Sequence, residues 1–389
     1  MAKANENPDA TPRNEDVFAQ TTIFLFSVAL GMATVVVPLV ATASGYALGA
    51  VGFLVATSAI TQIAARAGMG ILMDRVRTRS FVLASLILLA ASCVALAVSQ
   101  DFWAFIVSQL LQGAARAYFF TGAQTHVVRG SRTAVAALAR MNVTNGIGLL
   151  IGPLIAGLVG AWSLIAALWI AAAISGVAIF TGAFLIPYAP FTRPQRQPGD
   201  TTRPMMKRPG VVTAGWMGAT AGGWRGILNS YLGVVITEAG HSIPVVGAMM
   251  TLANLAALVG SSLAMPLRRL GIGKSTMVGT LLAAVGTAAM ALLMPNLPLA
   301  CVFLVLSGLG GGILQTLGPA LAADSVGSEE RGRSIASVGT FRAISLLVTP
   351  MGIGAMVFVL PSPAMATAIV AVALGVPALI SRRSASGDS

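Results

Sequence analysis

The chain has 389 residues, 56% of them hydrophobic and only 9% charged, where an average soluble domain has roughly a quarter of its residues charged. With a mean hydropathy of +0.85 it cannot cover its own surface with polar groups, which excludes a soluble enzyme or binding module. The net charge of +12 would suit a nucleic acid, but the basic residues sit in short loops between apolar runs, so no nucleic-acid partner is expected and the lipid bilayer is the solvent for most of the chain.

In chain order, residues 1–16 are polar and partly acidic and read as a cytoplasmic tail, with Glu15 and Asp16 ahead of the first helix. The apolar run 17–42 is too long for a signal-peptide core and lacks a convincing cleavage site, so it is expected as the first transmembrane helix. Five more helices are expected at 45–72, 80–99, 102–126, 134–159 and 162–188. Charge-free stretches such as 81–99 and 162–188 can each cross a hydrocarbon core of about 30 Å, which takes about 20 helical residues. The polar, proline-rich stretch 189–209 reads as a cytoplasmic linker. A second set of helices follows at 211–237, 243–266, 275–294, 298–323, 334–360 and 364–381, with 382–389 as a cytoplasmic tail. The expected domains are thus an N-terminal six-helix bundle over 17–188 and a C-terminal one over 210–381. The class is all-α, because backbone groups in lipid must be satisfied within their own segment and the charge-free runs lack the alternation of a barrel. Cys93 and Cys301 fall within expected helices and offer neither a metal spacing nor a disulfide framework. No nucleotide-binding loop and no nucleophile with a base stands out, so no cofactor, metal or enzyme activity is expected.

Orientation follows from the positive loops. All but five of the 24 basic residues fall in the tails or in loops on one side, among them Arg75, Arg77, Arg79, Arg129, Arg132, Lys207, Arg208, Arg268, Arg269 and Lys274. The opposite loops hold none, which predicts both termini on the cytoplasmic face of a cell inner membrane. The two halves share a layout: Gly113 to Gly157 and Gly308 to Gly354 each contain a Gly-bearing helix, a basic loop and a helix in which Pro is followed four residues later by Gly, at Pro153/Gly157 and Pro350/Gly354. Parallel six-helix repeats with a site at their interface are a known transporter arrangement.

The loop after helix 2 reads Gly70-Ile-Leu-Met-Asp74-Arg75-Val-Arg77-Thr-Arg79. With this loop in this position the chain resembles the major facilitator superfamily over nearly its whole length. The resemblance implies twelve helices in two pseudo-symmetric bundles, transport by alternating access, and a cytoplasmic latch in which Gly70, Asp74 and Arg75 gate without touching substrate. Arg77 stands where that motif usually has glycine. Helix 5 carries Gly148-Leu-Leu-Ile-Gly152-Pro153-Leu-Ile-Ala-Gly157, which is similar to a helix-5 motif of antiporting exporters and so implies efflux. Its glycines also suit close helix packing, and Pro153 suits a bend. The helix-4 pattern departs from the family: Gln109 stands three residues before Gln112-Gly113 where the family has Arg, and Arg116 lies two turns further on.

The five remaining arginines, Arg66, Arg116, Arg140, Arg225 and Arg342, lie within expected helices, while no acidic residue falls in the middle of one. Intramembrane charges are costly and face a cavity or a partner, so these need another counter-charge. At 1.5 Å per residue, Arg116 is about 21 Å into helix 4 and Arg225 about 21 Å into helix 7, both near mid-membrane. The resemblance implies that helices 1, 4, 7 and 10 line one chamber, which makes these two an anion-binding pair from opposite halves. Pairing with amide neighbours such as Asn229 is the structural alternative. Gln109, Gln112, Asn145, Trp224, Asn229 and Gln315 are further substrate-site candidates, beside Tyr231. Arg140 and Arg342, about 9 and 12 Å into helices 5 and 11 by the same rise, are expected in gating with Arg66. Ala214, Gly218, Gly222 and Gly226 are expected as a packing stripe on helix 7, and His126 and His241 as poor proton relays.

The expected function is secondary transport of a small organic anion by a monomer, export favoured, with a proton or a counter-substrate as possible coupling partner. Two other classes share the helices: a proton-coupled exporter of neutral or cationic drugs, which the lack of a mid-helix acid opposes, and a non-transporting receptor or lipid-handling protein.

Overall fold

A computed structural model describes residues 13–73, 75–129, 134–188, 208–326, 331–360 and 362–385. Twelve helical rods run through it: α1 Arg13–Ala43, α2 Leu48–Met73, α3 Thr78–Val98, α4 Phe102–Arg129, α5 Ala134–Gly160 and α6 Leu164–Gly182, then α7, α8 Ile243–Arg268, α9 Ile272–Leu292, α10 Leu297–Asp324, α11 Arg331–Val357 and α12 Pro363–Ala385. Rod α7 is compound, with Pro209–Ile227 passing through a π-helical turn at Leu228–Leu232 into Gly233–Glu238. Nine helices are long and apolar enough to cross a membrane among the described residues. Rods α4 and α7 fall short of that hydropathy, and they carry Arg116 and Arg225.

Short turns join the rods, and local chemistry sets their ends. Gly45 and Gly240 take positive φ just beyond α1 and α7, a conformation that costs glycine nothing. This moves the start of α2 from the expected residue 45 to Leu48. Ser163 caps α6 by accepting from the Ala166 N–H at 3.1 Å, and Asn296 caps α10 by accepting from Leu299 at 3.3 Å. The Asp101 carboxylate accepts from the Ala104 N–H at the start of α4 (2.7 Å), a bond that holds its pKa below the usual range. Beside these turns Trp103, Trp162 and Phe358 are exposed, as aromatic residues are at a lipid–water boundary. We call this side of the molecule the far end, and the side holding both chain termini and the basic loops the basic end.

The two halves repeat one packing scheme. In the first, α1 lies on α5 and α6, α3 on α4 and α6, and α2 on α4. In the second, α7 lies on α11 and α12, α9 on α10 and α12, and α8 on α10. The halves meet along two equivalent seams, α2 on α11 and α5 on α8. Both close where glycines let backbones touch. A Cβ on Gly157 would lie 2.9 Å from Gly247 Cα, and one on Gly49 would lie 2.9 Å from Gly354 O. At the far end Tyr231 of α7 also donates its hydroxyl to Leu48 O of α2, at 2.8 Å. Rod α1 meets α7 chiefly from the π turn outward, so the halves are sealed at the far end.

Glycine runs mark the crowded helices. Successive helical residues point about 100° apart, and Gly310, Gly311 and Gly312 of α10 accordingly face three neighbours. They abut Ala283 and Gly279 of α9, the Trp224 ring of α7, and Ala257 of α8. The α7 stripe packs on α11, with Gly218 against Val338, Gly222 against Arg342, and Gly226 against Thr349 and Pro350, while Ala214 faces Gly318 of α10. Gly148 and Gly152 of α5 pack inside the first half, on Phe24, Ser27 and Val28 of α1, so of the glycines in that motif only Gly157 serves the seam between halves.

Gly247→Ala should therefore lower the thermal midpoint of the purified protein in detergent, a close-packed methyl costing about 1–3 kcal/mol. Gly176→Ala in α6, where an added Cβ has open space, should leave it unchanged or raise it, because glycine costs a helix about 0.5–1 kcal/mol relative to alanine. Equal midpoints for the two variants would show that the seam tolerates a side chain.

Candidate functional site

Arg116, Arg225 and Arg342 sit near the midpoints of α4, α7 and α11 and converge from both halves. The charges of Arg342 and Arg116 both act on Arg225, and that of Arg66 acts on Arg342. Each of the three central guanidiniums meets a neutral amide. Arg116 donates to Gln112 Oε1 one turn back on its own helix (3.0 Å), and Arg342 to Gln315 Oε1 of α10 (3.2 Å). Arg225 donates to Asn254 Oδ1 of α8, and its guanidinium carbon lies 4.7 Å from the Trp224 ring centroid, a cation–π contact. Among the described residues no carboxylate lies within ion-pair distance of these three.

Rod α4 adds unpaired donors. Gln109, Gln112 and Arg116 are spaced three and four residues apart and so share one helix face. Gln109 and Gln112 are 1% and 2% exposed. Gln109 Nε2, Gln112 Nε2 and Arg116 Nε are buried with no acceptor among the described residues. A buried donor left without an acceptor costs about 1–3 kcal/mol, so the face is complementary to a ligand rich in acceptor oxygens.

The other sequence candidates spread out. Trp224 is buried and donates from Nε1 to Ser307 Oγ at 3.3 Å. Asn229 lies half-buried in the π turn, and Arg225 turns to Asn254 instead of to it. Asn145 accepts from Ser27 of α1 at 2.8 Å, within the first half. Arg342 lies deeper than expected: α11 begins at Arg331 and not at 334, which puts it about 16 Å along the helix. Its backbone and Cγ abut Gly222, and it joins the central cluster. Arg66 extends from α2 to Gly339 O of α11 at 3.4 Å, a contact between halves toward the basic end. Arg140 pairs with Asp16 at 2.9 Å, both about half exposed. Arg75 is exposed in the turn after α2, which contains Gly70, and Asp74 lies outside the described residues.

Two groups escaped the sequence reading. Asn254 is 6% exposed and holds Arg225 with its oxygen while its Nδ2 donates to Leu149 O of α5, at 2.8 Å. Pro153 has no N–H for the carbonyl four residues back, so Leu149 O is the acceptor that Pro153 frees. The proline was legible, but its partner lies on a distant stretch of chain. Glu15 was placed ahead of the first helix, whereas α1 begins at Arg13 and puts Glu15 and Asp16 in its first turn, where acids suit the helix dipole. Glu15 is buried and pairs with His126 Nε2 of α4 at 2.6 Å. It also accepts from the Ile186 N–H after α6 at 3.1 Å, while His126 Nδ1 meets Thr78 Oγ1 of α3 at 3.2 Å.

This network ties four segments of the first half together at the basic end. Breaking one partner of a buried pair leaves the other uncompensated, so His126→Ala should cost about 3–5 kcal/mol of stability. Adding Glu15→Gln to it should cost little more. A thermal or denaturant double-mutant cycle reads this, and additive losses would show that the two side chains act independently.

A family model described as Major Facilitator Superfamily matches residues 21–228 and 215–388. Among solved structures, a mutant form of the nucleoside transporter NupG matches with a TM-score of 0.79 at 13% identity, over 96% of this chain and 99% of that one. A POT family transporter in complex with 5-aminolevulinic acid matches with a TM-score of 0.77 at 11% identity, over 97% and 96%. A bacterial homolog of the human lysosomal transporter Spinster, in an inward-facing and unoccupied conformation, gives a TM-score of 0.75 at 13% identity, over 95% of each chain.

Proposed function

The chain belongs to the major facilitator superfamily, a multi-pass membrane transporter and not an enzyme, and from that premise we propose that it carries a small organic anion by alternating access. The observation that supports this most is the cluster of Arg116, Arg225 and Arg342, drawn from both halves and partnered by amides and the Trp224 ring with no carboxylate in reach among the described residues, beside the donors of Gln109 and Gln112 that find no acceptor there. A guanidinium stays charged and presents a planar fork that fits carboxylate, phosphate or sulfonate. Charge-assisted bonds of this kind are roughly twice as strong as neutral ones, so an anion supplies what the amides do not. A cation at the same place would add charge of the same sign to a cluster that already repels itself.

In this reading the anion bridges Arg116 of the first half and Arg225 and Arg342 of the second. Trp224 supports Arg225 from one side, and Gln315 steadies Arg342. Arg66 with Gly339, together with the Gly70, Asp74 and Arg75 loop, controls closure at the basic end. Arg140 braces α5 against α1. The direction we infer is export, from the likeness of the Gly148, Gly152, Pro153 and Gly157 helix to those of antiporting exporters. From the basic loops we read the termini as cytoplasmic and the membrane as the cell inner membrane, with the protein acting as a monomer. A proton-coupled exporter is the second reading, supported by one observation: a buried carboxyl group, Glu15, paired with His126. That pair sits at the basic end, away from the arginines, so it gives a cationic drug no counter-charge.

Replacing Arg116 or Arg225 by Ala should weaken binding of an anionic substrate by about 2 kcal/mol or more, since a charge-assisted bond is lost in a poorly hydrated site. Lys should restore only part, because an ammonium lacks the fork. A thermal-shift screen of anionic against cationic metabolites, then uptake into proteoliposomes, checks this after size-exclusion shows both variants folded. A cationic substrate, or parent-like binding by both alanine variants, would make these arginines structural.

A further inference from the structure

The Arg225 guanidinium and the freed carbonyl of Leu149 are joined by one side chain. Asn254 Oδ1 accepts from Arg225 and Nδ2 donates to Leu149 O at 2.8 Å, so α7 of the second half is tied through α8 to α5 of the first. Three residues earlier Thr251 donates to Leu150 O at 2.8 Å, and further along Gly247 meets Gly157 and Pro153. The amide thus stands in a row of contacts that closes the α5–α8 seam, with Gly146 against Leu258 beyond it toward the basic end. Both polar ends of Asn254 are committed. A charged donor on the oxygen polarises the amide and strengthens the N–H bond to Leu149, since hydrogen bonds in series reinforce one another.

We propose that Asn254 is a positioning residue that couples occupancy of Arg225 to parting of the α5–α8 seam. An anion on Arg225 draws the guanidinium off Asn254 Oδ1, the amide loses its charged partner, and its hold on Leu149 O weakens. The energy of the anion–guanidinium contact is thereby spent on opening the far-end seal. A ligand shifts a conformational equilibrium only through differential contacts in the two states, and Arg225 provides one: Asn254 in the sealed state, the anion in the other. This inference rests on the anion-site reading, and the residue that carries it was no sequence candidate.

The test is amide hydrogen exchange of the full chain in detergent, with and without sulfate as the probe anion, followed over residues 156–160 of α5 and 243–249 of α8. In the parent, sulfate should raise exchange there by roughly threefold or more, as a local opening does. Asn254→Ala should exchange faster without sulfate and respond to it little. Asn254→Asp places a built-in carboxylate on Arg225 and removes the N–H that reaches Leu149 O, so it too should exchange faster without sulfate and respond to it little. Together these results support the proposal, and Asn254→Asp alone still decides it where Asn254→Ala does not fold. No sulfate response in the parent, or a parent-like response in either Asn254 variant, overturns it. Arg225→Ala separates the two layers. If it loses the response while Asn254→Ala keeps it, the anion site stands and the coupling fails; if it responds as the parent does, the anion acts elsewhere and both readings fail.

Discussion

Every backbone polar group that lies in lipid must find its partner inside the protein, and this requirement organises the molecule. It makes the described elements helices and confines irregular backbone to the two ends. It also turns each internal proline into a question about an orphaned carbonyl. Pro153 frees Leu149 O, and the answer comes from Asn254 on the other half of the molecule. A local break in one helix thus becomes a contact between bundles. The glycines that surround it, Gly157 and Gly247, remove the side chains that would hold the two backbones apart.

The same economy governs the charges. Taking a guanidinium out of water costs several kcal/mol, and Arg116, Arg225 and Arg342 each offset part of that with one amide. A carboxylate would do more, but it would also make a closed ion pair. Amides hold the arginines in position and leave their charge available. The second half invests more in this arrangement, because α7 leans on α10 through Trp224, whose ring fits only where Gly311 lacks a Cβ.

Much of the fold was legible because it is written in local terms. Charge-free runs gave the rods, the positive loops gave a common side for the termini, and the Pro–Gly repeat marked α5 and α11 as related. Legibility failed where a side chain's partner lies far along the chain. His126 looked like an idle residue near a helix end, since nothing near it in sequence announces Glu15, 111 positions away. Arg342 looked peripheral because the basic residues 331 and 333 read as loop, whereas α11 already contains them and so carries Arg342 deeper. The π turn at Leu228–Leu232 has no sequence signature, so the facing of Asn229 could not be read off a regular helix. Asn254 is one amide in an apolar run, and its importance comes from the proline it serves on another helix.

The two seams are equivalent in backbone but unequal in chemistry, and that inequality bears on how the halves move. Gly157 meets Gly247 on one seam as Gly354 meets Gly49 on the other. Seven residues after Gly247 stands Asn254, while seven after Gly49 stands Ala56, a buried apolar residue. Four after Gly247 stands Thr251, which bonds α5, while four after Gly49 stands Phe53, which is exposed. The α2–α11 seam is held mainly by packing, with the Tyr231 hydroxyl of α7 on Leu48 O at its far end and Arg66 on Gly339 O toward its basic end. The α5–α8 seam is held by directional hydrogen bonds, one of them continuous with a central arginine, and such bonds weaken steeply with angle. A rocking motion that preserved the first and broke the second would turn about the α2–α11 side. The charge at Arg225 would then act through the α5–α8 seam, where Asn254 has no counterpart on the other side.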